Sequence, residues 1–178
     1  RLQNSSGNLT VVGDYSLEKL SVHLSSGDIR LPAIETRDLS IETSSGNISV
    51  QSLACETYSF SSSSGDMDLG DVSGDGSVNA ISGNIRAEEV NGHANIQVTS
   101  GEITLADFIG QGSVRCISGR ISVRIKSLTG DLSLSSTSGD IGITTESQAA
   151  FNYTASVTSG DISVTGGTGT MSGNDYAK

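Results

Sequence analysis

Basic residues are scarce in this chain. Ten Lys and Arg stand against 20 Asp and Glu in 178 residues, a formal charge of −10 with a pI near 4.4. Nucleic-acid binding draws most of its affinity from a basic stripe that neutralises phosphates, and no such stripe is present. Anionic lipid headgroups are repelled for the same reason, so no direct binding to an anionic membrane is expected. The charge instead suits a β-rich protein kept soluble and monomeric. Aromatic residues are equally sparse, with three Phe, four Tyr and no Trp, beside a single proline, Pro32. That scarcity, at 34% apolar residues, fits a narrow core of stacked aliphatic side chains. No run of 18 apolar residues occurs, so no transmembrane helix is expected. Only two cysteines, Cys55 and Cys116, and two histidines, His23 and His93, are available for reactive chemistry.

Glycine, serine and threonine are plentiful, at 22, 33 and 15 residues. Such polarity could signal disorder, but disordered chains lack β-branched residues at regular intervals. Here they are regular. Glycines at 7, 27, 46, 65, 83, 101, 119, 139 and 160 each follow a serine and precede a polar-apolar-any-apolar phrase. The spacings are 20, 19, 19, 18, 18, 18, 20 and 21 residues, the mark of a repeat architecture.

Counting each glycine as zero, position +2 holds Leu9, Ile29, Ile48, Met67, Ile85, Ile103, Ile121, Ile141 and Ile162. Position +4 holds Val11, Leu31, Val50, Leu69, Ala87, Leu105, Val123, Ile143 and Val164. Period-two alternation of this kind is a short strand with one buried face. A second alternating run precedes each Ser-Gly, as in Leu39-Ser-Ile41, Tyr58-Ser-Phe60, Val78-Asn-Ala80 and Ile96-Gln-Val98. Between the runs lies an apolar anchor (Ile34, Leu53, Val72, Val90, Phe108), then a turn marked by Gly74, Gly92, Gly110 and Gly130. Each copy therefore reads as two short strands, or three. One copy cannot bury its apolar face alone, whereas stacked copies share a continuous column. The fold class is all-β: a single-stranded parallel β-solenoid (β-helix) of about nine coils of 18–21 residues. At roughly 4.8 Å per rung it makes a rod on the order of 43 Å long. The preference of parallel crossovers makes a right-handed coil the expectation.

Residues 1–178 read as one solenoid domain. The stretch 144–150 lacks a mid-coil anchor and reads as a bulge, with Ala149-Ala150-Phe151 resuming the pattern; Leu17-Glu18-Lys19-Leu20 is the one candidate for a helical turn. Arg1-Leu2-Gln3-Asn4 already falls inside a repeat, and Ser172-Gly173-Asn174 begins another copy. Both ends cut the pattern, so a slice of a longer chain is expected, without a signal peptide and with any anchor outside it.

In a solenoid, like positions stack one strand spacing apart, so ladders decide what chemistry is available. Position +1 reads Asn8, Asp28, Asn47, Asp66, Asn84, Glu102, Arg120, Asp140, Asp161. This order mostly avoids stacked like charges, and Asp or Asn after glycine is expected to hydrogen-bond its own backbone. No metal or cofactor is expected. The residues whose type and placement come nearest to a calcium edge are Asp140 with Asp161, and Asp66 with Asp68. Arg86 is expected above Asp68, and neither a calcium-repeat nor an EF-hand spacing occurs.

No catalytic residue is expected either. His23 and His93 fall four rungs apart, roughly 19 Å. The serine before every glycine behaves as a turn residue, and no nucleophile elbow occurs. Cys116 shares an inward slot with Val98 and Ala80, and Cys55 lies three rungs away. That separation of roughly 14 Å exceeds disulfide reach, so both should be free thiols. The Asn-x-Ser/Thr sites at Asn4, Asn8, Asn47 and Asn152 matter only in a eukaryotic secretory pathway. Polysaccharide-degrading β-helices carry long loops around a groove of carboxylates, whereas the loops here are minimal. Position +3 reads Thr10, Arg30, Ser49, Asp68, Arg86, Thr104, Ser122, Gly142, Ser163, which excludes a Thr ladder of the ice-binding kind there.

The phrases Ser-Ser-Gly-Asp-Ile at 25–29, Thr-Ser-Gly-Asp-Ile at 158–162 and Ser-Gly-Asn-Ile at 82–85 resemble a bacterial β-solenoid family that carries an adhesin label. The resemblance covers essentially the whole chain and rests on the repeat rather than on a site. Some members belong to cell-envelope stress proteins, and the family offers no catalytic residues. The resemblance implies a non-enzymatic bacterial module, extracellular or at the cell surface, that binds an envelope glycan or protein or acts as a rigid spacer. The alternative is an envelope-stress regulatory module that holds a partner protein at a solenoid end, since open edge strands are sticky. A monomer is expected unless such ends pair.

Overall fold

The computed structural model describes residues 1–13, 15–146 and 152–166. The described residues form 12 strands: β1 (Leu2–Ser6), β2 (Leu9–Thr10), β3 (Tyr15–Ser26), β4 (Ile29–Ser45), β5 (Ile48–Ser64), β6 (Met67–Ser82), β7 (Ile85–Ser100), β8 (Ile103–Ser118), β9 (Ile121–Ser138), β10 (Ile141–Thr145), β11 (Tyr153–Ser159) and β12 (Ile162–Thr165). Every pairing among the described residues is parallel; β1 pairs β3, β2 pairs β4, and each strand from β4 to β9 lies beside the strands before and after it in sequence. This is a β-solenoid. Its nine Ser-Gly corners enclose eight turns.

The coils are more continuous than the sequence suggests. Instead of two short strands, each of β4 to β9 is one run of 16–18 residues, interrupted only at Ser-Gly-Asx. The run bends where alternation fails. In β7, Glu88 and Glu89 both face out between Ala87 and Val90, and Asn91 to His93 face out between Val90 and Ala94. These breaks divide the coil into three sides. Parallel pairing continues through the corners, because the glycine amide donates to the serine carbonyl of the next coil, as from Gly83 to Ser100 at 3.1 Å. The corner admits only glycine. At Gly101 φ is +145°, and a Cβ would strike the carbonyl of Gly83.

Six inward columns make the core. Positions +2 and +4 are buried from Ile29 and Leu31 through Ile141 and Ile143, and Leu9, Val11, Ile162 and Val164 pack partly buried against the ends of the cluster. The anchor column Ile34, Leu53, Val72, Val90, Phe108 is in register as read, and Ile125 extends it. A fully buried Ile85 contributes ~1.5–3 kcal/mol by area removed from water.

Two expectations are corrected. Leu17–Leu20 belongs to strand β3 and forms no helical turn. On the third side Tyr58 stands opposite Gly76 and Phe60 opposite Val78, because that side has three inward columns, at −7, −5 and −3 from the following glycine. The −7 slot passes through Gly76 and Gly112, and the −3 slot through Thr43, Ser62 and Ser136, so polarity does not mark which residues point in. Second, Gly130 is off the glycine ladder of 74, 92 and 110: a longer seventh coil puts Leu128 opposite Gly110. Of the expected bulge, Thr144–Glu146 are described, with Thr145 in register with Ile125; Ala149, Ala150, Phe151 and the copy at 172–174 lie outside the described residues.

Candidate functional site

The candidate cation ligands sit along the corner. The Asp and Asn side chains at +1 reach forward to the next coil rather than back to their own backbone. Asn8 Oδ1 accepts the Asp28 amide at 2.9 Å, Asp28 accepts that of Asn47 at 3.0 Å, and Asn47 accepts that of Asp66 at 2.9 Å. Asp66 Oδ1 accepts both the Asn84 amide at 2.7 Å and Asn84 Nδ2 at 3.1 Å. Each residue two atoms from its backbone can span one rung, which is the physical reason for Asx here. Of the calcium candidates, Asp140 divides its oxygens between the Asp161 amide at 3.1 Å and Arg120 at 3.3 Å. Asp68 lies opposite Arg86 on the +3 column, as expected. Among the described residues no three His, Cys, Asp or Glu side chains converge as a metal site.

The remaining reactive residues are held apart. His23 Nδ1 lies 3.2 Å from Glu42 Oε2 on the exterior of β3, and His93 is on the exterior of β7. Both thiols are free. Cys55 donates to the Ser73 carbonyl at 3.5 Å; burial, with the negative charges of Asp38 and Asp75 adding, pushes its pKa up to about 11. Cys116 is fully buried, donates to the Gly101 carbonyl at 3.5 Å, and burial raises its pKa too. Neither environment produces a thiolate nucleophile at neutral pH. A third cluster is structural: Asp71, Glu89 and Asp107 stack on successive rungs, and cations from β9 answer them. Arg124 lies 2.6 Å from Asp107, and Lys126 lies 3.5 Å from Glu89 and 3.7 Å from Asp107. These offset the repulsion of stacked like charges, at up to ~1 kcal/mol per exposed pair.

The feature with room for a ligand is a groove on the neighbouring side. It crosses four coils, with Ser49, Asp68, Arg86 and Thr104 in register at +3. Gln51, Gly70, Glu88 and Ala106 line it at +5. It is open to solvent and encloses about 650 Å³. Its shape follows from small residues. Gly70 has no room for a Cβ, which would strike the Gln51 carbonyl, and exposed Ala106 adds little bulk. Although Asp68 and Arg86 are direct register neighbours, neither side chain enters an ion pair or a side-chain hydrogen bond among the described residues. Both are exposed on the outer face of the sheet. Sequence reading saw the +3 column but not the groove, because the groove depends on the outward bend at +5 and +6. The local signal was the pair of small residues Gly70 and Ala106 at +5.

The family model described as Toastrack DUF4097 matches the chain over residues 1–106 and again over residues 29–178. No curated protein and no solved structure matches it.

Proposed function

The chain belongs to the Toastrack DUF4097 family, a β-solenoid family of unknown function, and on that premise we propose that it is a non-enzymatic bacterial binding or display module, at the cell surface or secreted. The observation that carries this reading is the groove across four coils, whose Asp68 and Arg86 are in register yet, among the described residues, engaged with neither each other nor another side chain. A rod of stacked coils holds such side chains at fixed spacing, so little ordering entropy is lost on binding.

The test is capture from bacterial envelope extract by the immobilised domain, with glycan, lipid and protein fractions separated. Saturable enrichment of one class, lost in Asp68→Ala/Arg86→Ala, is expected. Hydrolysis of a glycan or ester by the purified domain, abolished by a single substitution, would overturn the non-enzymatic reading. A second reading is an envelope-stress regulatory module holding a partner protein at a solenoid end. It is favoured by β1, whose five residues are all exposed. Under it, Gln3→Lys at that end abolishes capture and the groove variant does not.

A further inference from the structure

The groove lies on the side of the solenoid, and that position limits what it can recognise. Along β5 to β8 the backbone pairs in parallel ladders with neighbouring coils at +2 to +4 and again from +6, so each of these strands has a coil on both sides. A peptide laid in the groove therefore finds no main-chain edge to pair with, and β-augmentation is confined to the ends of the stack. Recognition in the groove runs through side chains. Those available are the Ser49 and Thr104 hydroxyls and the Gln51 amide, which donate and accept, the Asp68 and Glu88 carboxylates, which accept, and the Arg86 guanidinium, which donates. This mixture complements a ligand whose every unit carries several groups that are both donor and acceptor. The floor beneath is low, because Gly70 and Ala106 put little or no side chain on the outer face there, and it leaves room for the flat face of a ring. Charge narrows the class further. Asp68 and Glu88 against Arg86 leave the groove with one net negative charge, within a molecule of formal charge −10. A polyanion is disfavoured at both scales.

Resting on the reading of the domain as a binding module, we infer that this groove is the binding site for an uncharged glycan chain lying along the solenoid axis. Ser49, Asp68, Arg86 and Thr104 present one polar group per rung of ~4.8 Å, close to the length of a pyranose unit.

The experiment is an NMR titration of the domain with cellohexaose and with N-acetylchitohexaose, set beside hexagalacturonate as the acidic comparison. Saturable shifts of amides in 49–51, 68–70, 86–88 and 104–106 with a neutral hexasaccharide are expected. Arg86→Ala should weaken binding about ten-fold, and Arg86→Lys should recover part of it. Arg86 is exposed, and an unchanged circular dichroism spectrum confirms the variant's fold. Shifts confined to another face, binding of hexagalacturonate alone, or no shifts with either neutral hexasaccharide overturn the inference. The envelope capture experiment separates the two failures: retention of another class without neutral-glycan shifts removes the glycan assignment and leaves the binding module standing, whereas nothing retained removes both.

Discussion

Tyr58 and Gly76 face each other on adjacent coils, and the tyrosine ring occupies the space that the glycine leaves. A Cβ built on Gly76 would lie 2.6 Å from Tyr58 Cγ and would also strike the Tyr58 carbonyl. Tyr58 is buried, and its ring centroid sits 5.8 Å from that of Phe60 at 44°. Two large rings on one coil are thus accommodated by an empty slot on the next. Gly76→Ala should cost ~1–3 kcal/mol through overpacking, and Tyr58→Ala ~3–5 kcal/mol through the cavity it opens. Because the ring clash vanishes in the Tyr58→Ala background while the carbonyl clash remains, Gly76→Ala should cost less there, with a coupling on the order of 1 kcal/mol. Urea denaturation of the four proteins measures the cycle. Equal costs in both backgrounds would show that the ring is not what excludes the methyl.

The same pair explains which parts of the fold were legible in the sequence. The +2 and +4 columns are apolar in every coil, so alternation alone located them. On the third side the inward slots pass through Gly76 and Gly112 and through Thr43, Ser62 and Ser136, so alternation of apolar residues located only two of its three columns in a given coil. The corner ladder was visible as a run of Asx, but its bonding partner was sought along the chain. In a solenoid the nearest amide to Asp28 is that of Asn47, 19 residues on. The groove was hidden for a different reason. It arises where the Leu69-Gly70-Asp71 segment and its neighbours turn outward, and the place of a bend within a continuous strand depends on packing between coils.

The corner ladder makes an acceptor, not a charge, the requirement at Asp66. Its Oδ1 receives two hydrogen bonds from Asn84. Asp66→Ala leaves the half-buried Asn84 amide without this acceptor and should cost ~1–2 kcal/mol. Asp66→Asn retains an oxygen in place and should cost under ~1 kcal/mol. Chemical denaturation, with hydrogen exchange at the Asn84 amide as a local reading, distinguishes the two. If Asp66→Asn were as damaging as Asp66→Ala, the carboxylate charge would be the stabilising element.

Cys55 carries a pH dependence with a definite sign. Burial first, then the Asp38 and Asp75 carboxylates, raise its pKa from 9.0 to about 11. A folded-state pKa above the unfolded value favours the protonated thiol, so its contribution to stability is complete below pH 9. That contribution is lost as pH rises through about 11. Near pH 8 the native thiolate is about a hundred-fold rarer than in the unfolded chain, and alkylation by iodoacetamide should be slower in proportion. Buried Cys116 should react more slowly still. Mass spectrometry of labelling time courses, native and in urea, resolves both sites. Native alkylation of Cys55 at the unfolded rate would mean that the coil opens there on the labelling timescale.

The anchor column ends on a polar residue, and this gives the last prediction. From Ile34 through Ile125 the column is aliphatic or aromatic; the next rung places Thr145 opposite Ile125, buried at 7% exposure, with no hydrogen-bond partner for Oγ1 among the described residues. A buried hydroxyl without a partner forfeits its solvation and gains nothing, at a cost of ~1–3 kcal/mol. Valine keeps the shape, the β-branching and the strand geometry while replacing the hydroxyl with a methyl that meets Ile125. Thr145→Val should therefore raise stability by ~1 kcal/mol, and Thr145→Ser, which keeps the hydroxyl and removes the methyl, should lower it. Thermal denaturation of the three proteins measures the order. A loss of stability in Thr145→Val would mean that the hydroxyl holds a partner in solution, and that this rung is stabilised by a hydrogen bond rather than by continuation of the apolar column.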